Sequence, residues 1–248
     1  MNSLRMNNCI AQKRKMLVGY LLAGYPDLEG FFEVLAASRE GIDILEIGYP
    51  SQNPYADGSV IQEAHGRVCL ESARSMDYWK RVRAATDSPI WIMAYRKDFV
   101  DSGAYLELAK AHVMDAVVLP DTDEDKLNCL AEELKPYRVD IVRIVNPEMD
   151  ASQLTKRLQA CQLVYEQLYV GKTGDSHHEE HYRDMLAFSK QFTNVTTFAG
   201  FGISTPEKVQ EVLENGFDGA IIGTELIRRL NVSLDEFKSF ITTVHQVI

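Results

Sequence analysis

The chain has 248 residues, 46% hydrophobic and 25% charged, which is ordinary for a globular protein with a well-buried core and excludes a disordered chain. One domain over residues 1–248 is expected, because α/β barrels fill that length as a single unit. The formal net charge of −10 excludes a protein that reads a nucleic-acid backbone, which needs a clustered excess of Lys and Arg.

In chain order, Met1 to Lys15 lacks the apolar centre of a secretion signal and is expected to form an extra N-terminal helix. Eight short apolar runs follow: Leu17 to Gly24, Ile44 to Gly48, Ile90 to Tyr95, Ala116 to Pro120, Ile141 to Val145, Leu163 to Tyr169, Thr196 to Gly202 and Gly219 to Gly223. Most are near-continuously apolar rather than alternating, as parallel strands buried on both faces must be. Between them lie helical spacings such as Phe31, Val34 and Leu35, or Val209, Val212 and Leu213. Ser204-Thr205-Pro206-Glu207 places a capping residue before a first-turn Pro and Glu. Strict β/α alternation over eight units predicts an α/β fold, a (β/α)8 TIM barrel. No run of about 18 apolar residues offers a membrane span, and Cys9, Cys69, Cys129 and Cys161 form no C-x-x-C pair. Free thiols, a cytoplasmic location, no membrane association and no nucleic-acid partner are therefore expected.

Barrel chemistry sits where strands end and βα loops begin. After the second run, Glu46 to Gly58 forms a loop rich in Pro and Gly, with one acid on the strand and one beyond it. Two carboxylates can face one cavity there, and an acid on a barrel strand is costly unless a site pairs or solvates it. The residues alone leave a second reading open, with Glu46 salt-bridged on the outer layer and Asp57 capping a helix that begins near Gly58.

The far end of the barrel carries an independent signal: Gly171-Lys172-Thr173-Gly174, Gly200-Phe201-Gly202-Ile203-Ser204 and Gly223-Thr224 follow the last three runs. Glycines there let backbone N–H groups and helix N-termini approach an anion. Gly174, Gly202, Gly223 and Thr224 are accordingly expected to hold a phosphate, the alternative being simple tight turns.

Leu21-Leu22-Ala23-Gly24-Tyr25-Pro26 and Leu45-Glu46-Ile47-Gly48-Tyr49-Pro50 through Pro54-Tyr55-Ala56-Asp57-Gly58 resemble signatures of the tryptophan synthase α subunit family. Pro120-Asp121, Tyr165, Gly171 to Gly174, Gly200 to Ile203 and Gly219 to Thr224 follow in the family's order, so the resemblance spans nearly the whole chain. It implies a lyase of tryptophan biosynthesis that cleaves indole-3-glycerol phosphate to indole and glyceraldehyde 3-phosphate. The usual partner is a pyridoxal-phosphate β subunit, and no cofactor or metal is implied for this chain itself. By resemblance Glu46, Asp57 and Tyr165 are catalytic: Glu46 protonates C3 of the indole and later takes the hydroxyl proton, while Asp57 holds the ring nitrogen. Tyr165 is expected to orient Glu46 or the substrate hydroxyl. Tyr20, Ile61, Tyr95, Thr173 and Phe201 are implied as substrate contacts. A diverged barrel acting on another phosphorylated substrate, or a non-catalytic activating subunit, is the alternative.

Several positions depart from the family pattern. Ser51-Gln52-Asn53 stands where Phe-Ser-Asp is usual, in a loop that reaches the β subunit, so weakened partner binding is expected. Leu168 to Gly174 loses an Arg and gains Lys172, and Tyr95-Arg96-Lys97 replaces an Asn-containing loop. Glu166 and Gln167 interrupt a run that is normally apolar, with Glu166 read as one half of a buried ion pair or the edge of the site. His177-His178-Glu179-Glu180-His181 lacks the H-E-x-x-H spacing and reads as a solvated helix start after Asp175-Ser176. Lys97 and Lys172 are expected in loops, without a Schiff-base role. Trp79 and Trp91 are expected to fill the space between helix and strand.

Overall fold

A computed structural model describes residues 1–12, 14–171 and 182–248. Its eight strands are β1 (Met16–Leu22), β2 (Ile44–Gly48), β3 (Ile90–Met93), β4 (Ala116–Val118), β5 (Asp140–Val145), β6 (Leu163–Gln167), β7 (Thr196–Gly200) and β8 (Gly219–Ile222). They pair in parallel in sequence order and close between β8 and β1, where Met16 meets Gly219 and Gly19 meets Ile222. This is the expected (β/α)8 barrel. Every residue of β1, β2, β4 and β8 is buried, which explains the unbroken apolar runs. Six strands stop one to two residues short of the runs read from sequence, because residues such as Tyr95, Pro120 and Gly223 turn out of the sheet toward the loops.

The outer faces of the strands pack against helices. The helix Gly30–Ser38 buries Phe31, Val34 and Leu35, and the helix Pro206–Glu214 buries Val209, Val212 and Leu213, as their spacing dictates. Thr205 caps the latter, accepting the Lys208 backbone N–H at 3.2 Å, with Pro206 in the first turn.

The barrel interior is packed in layers. Met16, Val18, Ile44, Trp91, Val142, Leu163 and Phe198 fill its lower part. The expected N-terminal helix, Leu4–Ala11, closes that end by inserting Met6, whose sulfur accepts the Trp91 indole N–H at 3.3 Å. Ser3 fixes the plug, capping the helix and donating to Asp115 at 2.7 Å. Trp79 lies between helix and strand as expected, stacked 5.8 Å from Tyr49. Trp91 does not: it is inside the barrel, edge-on to Phe198 at 5.0 Å, since it shares the inward register of Glu46 on β2.

Glu166 also departs from expectation. Its strand neighbours Tyr165 and Gln167 point inward, so Glu166 points outward under the helix Tyr182–Ser189, fully buried. Neither carboxyl oxygen completes a hydrogen bond. Burial pushes the group up to about 7, with Ser189 and Lys190 pulling it back. Among the described residues it is neither half of an ion pair nor part of the cavity lining.

Candidate active site

The C-terminal ends of the strands enclose a cavity of about 170 Å3 lined by Tyr20, Glu46, Asp57, Ile61, Tyr165, Phe201 and Gly223, together with Ala56, Met93, Val118, Pro120, Ile144, Gln167 and Gly171. A larger hollow, about 560 Å3, opens at the opposite end of the barrel among Asn2, Asp140, Cys161 and Asn194. Chemistry in this fold belongs at the C-terminal end, where the inward acids are.

Glu46 enters from β2 and is 3% exposed. It faces the cavity rather than the outer layer, and no hydrogen bond reaches its carboxyl from the described residues. Burial pushes it up to about 8, and the neighbouring Asp57 charge adds to the shift. Asp57 arrives from the following loop, through a turn in which its N–H donates to the Pro54 carbonyl at 3.2 Å. The helix Ser59–Arg67 has Gly58 at its N-cap with no side-chain cap, so Asp57 is not a helix cap. Its Oδ2 instead accepts the Tyr95 hydroxyl at 2.7 Å. Burial raises Asp57 to about 6, and that hydrogen bond pulls it down. Tyr95 in turn accepts the Ala56 N–H at 3.2 Å, so it grips the loop on both sides of the acid.

Tyr165 projects inward from β6, its ring edge-on to Phe201 at 6.0 Å. It fits only because Gly200 has no side chain: a Cβ there would lie 2.2 Å from the Tyr165 ring. Among the described residues no hydrogen bond joins Tyr165 to Glu46, and both line the cavity. Tyr20 enters from β1, in register with Glu46. Its hydroxyl lies 3.5 Å from Nε2 of His65, whose Nδ1 accepts the Ser51 N–H at 3.0 Å.

The helix Thr224–Val232 begins at Gly223 with no side-chain cap among the described residues, and such an N-terminus favours an anion. Phe201 and Gly202 adopt left-handed conformations, φ 69° and 73°, in the turn beside it. Thr173, Gly174, Lys172 and the 177–181 cluster lie outside the described residues. Lys97 sits on the helix Arg96–Phe99 rather than in a loop, exposed and away from the cavity.

Sequence reasoning missed Gln167, Met93, Ile144 and His65. The first three share the inward face of their strands, so counting residues by twos along each strand finds them. Nothing in the sequence alone marks His65.

The strands define a (β/α)8 barrel whose C-terminal end encloses a cavity lined by two buried carboxyls. The profile described as Tryptophan synthase alpha chain matches residues 6–247. The tryptophan synthase alpha chain of Synechococcus elongatus is 31% identical over 237 residues, 91% of this chain and 89% of that one. That of Thermoanaerobacter sp. is 28% identical over 248 residues, 95% and 94% of the two chains. The fold of Mycobacterium tuberculosis tryptophan synthase matches with a TM-score of 0.85 at 22% identity, over 98% of this chain and 96% of that chain. The chain belongs to the tryptophan synthase alpha chain family, lyases of tryptophan biosynthesis that cleave indole-3-glycerol phosphate. Among the described residues no helix is long and apolar enough to cross a membrane.

Proposed function

We propose that Glu46 and Asp57 carry the retro-aldol cleavage of indole-3-glycerol phosphate in this chain. The supporting observation is one cavity in which two buried carboxyls are pushed to different values, about 8 and about 6. Such a separation assigns acid and base within a pair. Near neutral pH Glu46 keeps its proton and Asp57 is ionised. Glu46 gives its proton to indole C3, and Asp57 accepts the ring N–H and stabilises the positive charge that develops there. The Glu46 carboxylate then takes the proton of the adjacent chain hydroxyl as the C–C bond breaks. The bonding pair returns to the ring, leaving indole and an aldehyde.

Tyr165 supports the reacting hydroxyl. Ile61, Met93, Ile144 and Phe201 give the ring an apolar wall, and Tyr95 acts through Asp57 rather than on the ring. The phosphate rests on N–H groups of Gly202, Gly223 and Thr224, anchoring the chain so the ring meets both acids. Gly174 and Thr173 complete that end by resemblance. A non-catalytic subunit has no use for two carboxyls buried at a desolvation cost.

Alpha chains of the family pair with β subunits, and a β subunit is proposed as a weakened partner here. Ser51 is 2% exposed and donates to Asp98 at 2.6 Å, so position 51 faces this chain's own core. The usual Phe has been exchanged for an internal anchor. The test is incubation of the purified chain with indole-3-glycerol phosphate, with and without a β subunit. Equal amounts of indole and glyceraldehyde 3-phosphate are expected in both arms, and no indole in either arm would overturn the reading.

A further inference from the structure

The cleavage described above gives no task to the hydroxyl of Tyr20, a residue that lines the cavity. Its placement is specific. The ring spans the gap between the two ends of the site: its Cβ side lies against Gly223, where an added Cβ would stand 3.5 Å away. Its hydroxyl lies against Gly48, where an added Cβ would stand 2.4 Å away. Gly223 belongs to the anion end and Gly48 follows Glu46 on β2. Any chain that joins a phosphate at Gly223 to a group reacting at Glu46 runs along this ring.

The direction of the Tyr20 proton follows from His65. The Ser51 N–H donates to Nδ1 at 3.0 Å, so Nδ1 is an acceptor and a neutral ring carries its proton on Nε2. Burial holds the imidazole neutral by pushing it down to about 4, against the pull of Asp98. Nε2–H therefore donates to the Tyr20 oxygen, 3.5 Å away. A phenol that accepts from His65 has its own proton left to give, and it gives it into the cavity. Burial holds the phenol in the neutral form, and the nearby charges of Asp57, Glu46 and Tyr95 add to the effect.

We propose that Tyr20, oriented by His65, donates a hydrogen bond to a hydroxyl oxygen on the chain between phosphate and ring, and so selects a hydroxylated over a plain alkyl chain. The proposal rests on the function argued above. Tyr20 contacts the substrate and His65 is a positioning residue.

The test uses binding, which does not depend on turnover. Titration calorimetry compares glycerol 3-phosphate with propyl phosphate, which lacks the hydroxyls, on the full chain. The wild type is expected to prefer glycerol 3-phosphate, and Tyr20→Phe should lower that preference about threefold to tenfold, the weight of one neutral hydrogen bond, and leave propyl phosphate binding unchanged. His65→Leu should weaken it, His65→Gln should keep it by supplying an amide donor, and His65→Leu should add nothing in the Tyr20→Phe background. A preference undiminished in Tyr20→Phe, or equal binding of both esters by the wild type, overturns the inference alone. Failure of the wild type to bind either ester overturns the phosphate site itself, and this inference with it.

Discussion

Tyr95 shows how one hydroxyl sets a pH limit. Its bond to Asp57 at 2.7 Å favours the ionised carboxylate, so removing it raises Asp57. The wild-type rate of indole release should fall below pH about 6, where Asp57 protonates, and above pH about 8, where Glu46 loses its proton. Tyr95→Phe should move only the acid limb, to higher pH, and a pH–rate profile with an unmoved acid limb would contradict this role. Glu166 gives a second prediction, outside the site. Its folded value of about 7 lies above the ordinary 4.5, so the native state binds more protons than the unfolded one. Stability therefore falls as pH rises from about 4.5 through about 7, by roughly 3 kcal/mol in all. Glu166→Gln should melt higher than the wild type at pH 8 and about equally at pH 4.5. Equal melting at pH 8 would show that Glu166 finds a partner. At this scale Glu46 and Asp57 were legible because ionisable groups at strand ends stand out from apolar runs. Gln167 was visible but not interpretable until the inward face of β6 was known. His65 was invisible, because its partners Ser51 and Tyr20 meet it only in three dimensions.

The loop from Tyr49 to Gly58 is held by its own chain at several points. Arg74 donates to the Pro50 carbonyl at 2.8 Å and to Asp98 at 2.7 Å, and Ser51 donates to the same Asp98. Tyr55 packs on Tyr95 at 5.0 Å and donates to Asp121 at 3.1 Å. Gln62 donates to the backbone carbonyl of Asp57 at 2.8 Å. These contacts preorganise the carboxylate that the reaction needs. Asp98→Ala removes the acceptor shared by Ser51 and Arg74. It should speed hydrogen exchange over residues 51–57 and lower kcat/KM for indole release about tenfold, and unchanged exchange there would show that the anchor is idle. The strands were legible as elements because burial on both faces leaves no polar alternation. Their ends were overshot because apolar residues and glycines continue past the strands, some lining the cavity, as Pro120, Phe201 and Gly223 do, and others packing in the outer core, as Leu119 and Leu168 do. That Ser51 is an inward anchor, bonded to Asp98, could not be read, since a sequence does not say which way a loop residue points.

Across the whole molecule the two ends of the barrel have separate duties. The lower end is sealed by Met6 against Trp91 and is assigned to stability; the upper end holds the acids and is the proposed seat of the chemistry. Met6→Ala should cost about 2–5 kcal/mol in urea unfolding, with the turnover of the folded fraction at 25 °C unchanged. A loss of turnover without loss of stability would mean that the ends are coupled. The barrel was legible as a whole from eight regularly spaced runs, whereas Trp91's place inside it was not, because inward and outward faces are set by register between strands. The central claim is that Glu46 moves the proton on which cleavage depends. It is tested most directly by the rate of indole release from indole-3-glycerol phosphate by Glu46→Gln, in which a nearly isosteric amide cannot exchange a proton. The rate should fall about 10²- to 10⁴-fold while glycerol 3-phosphate binds as before, and a rate equal to that of the wild type would contradict the account.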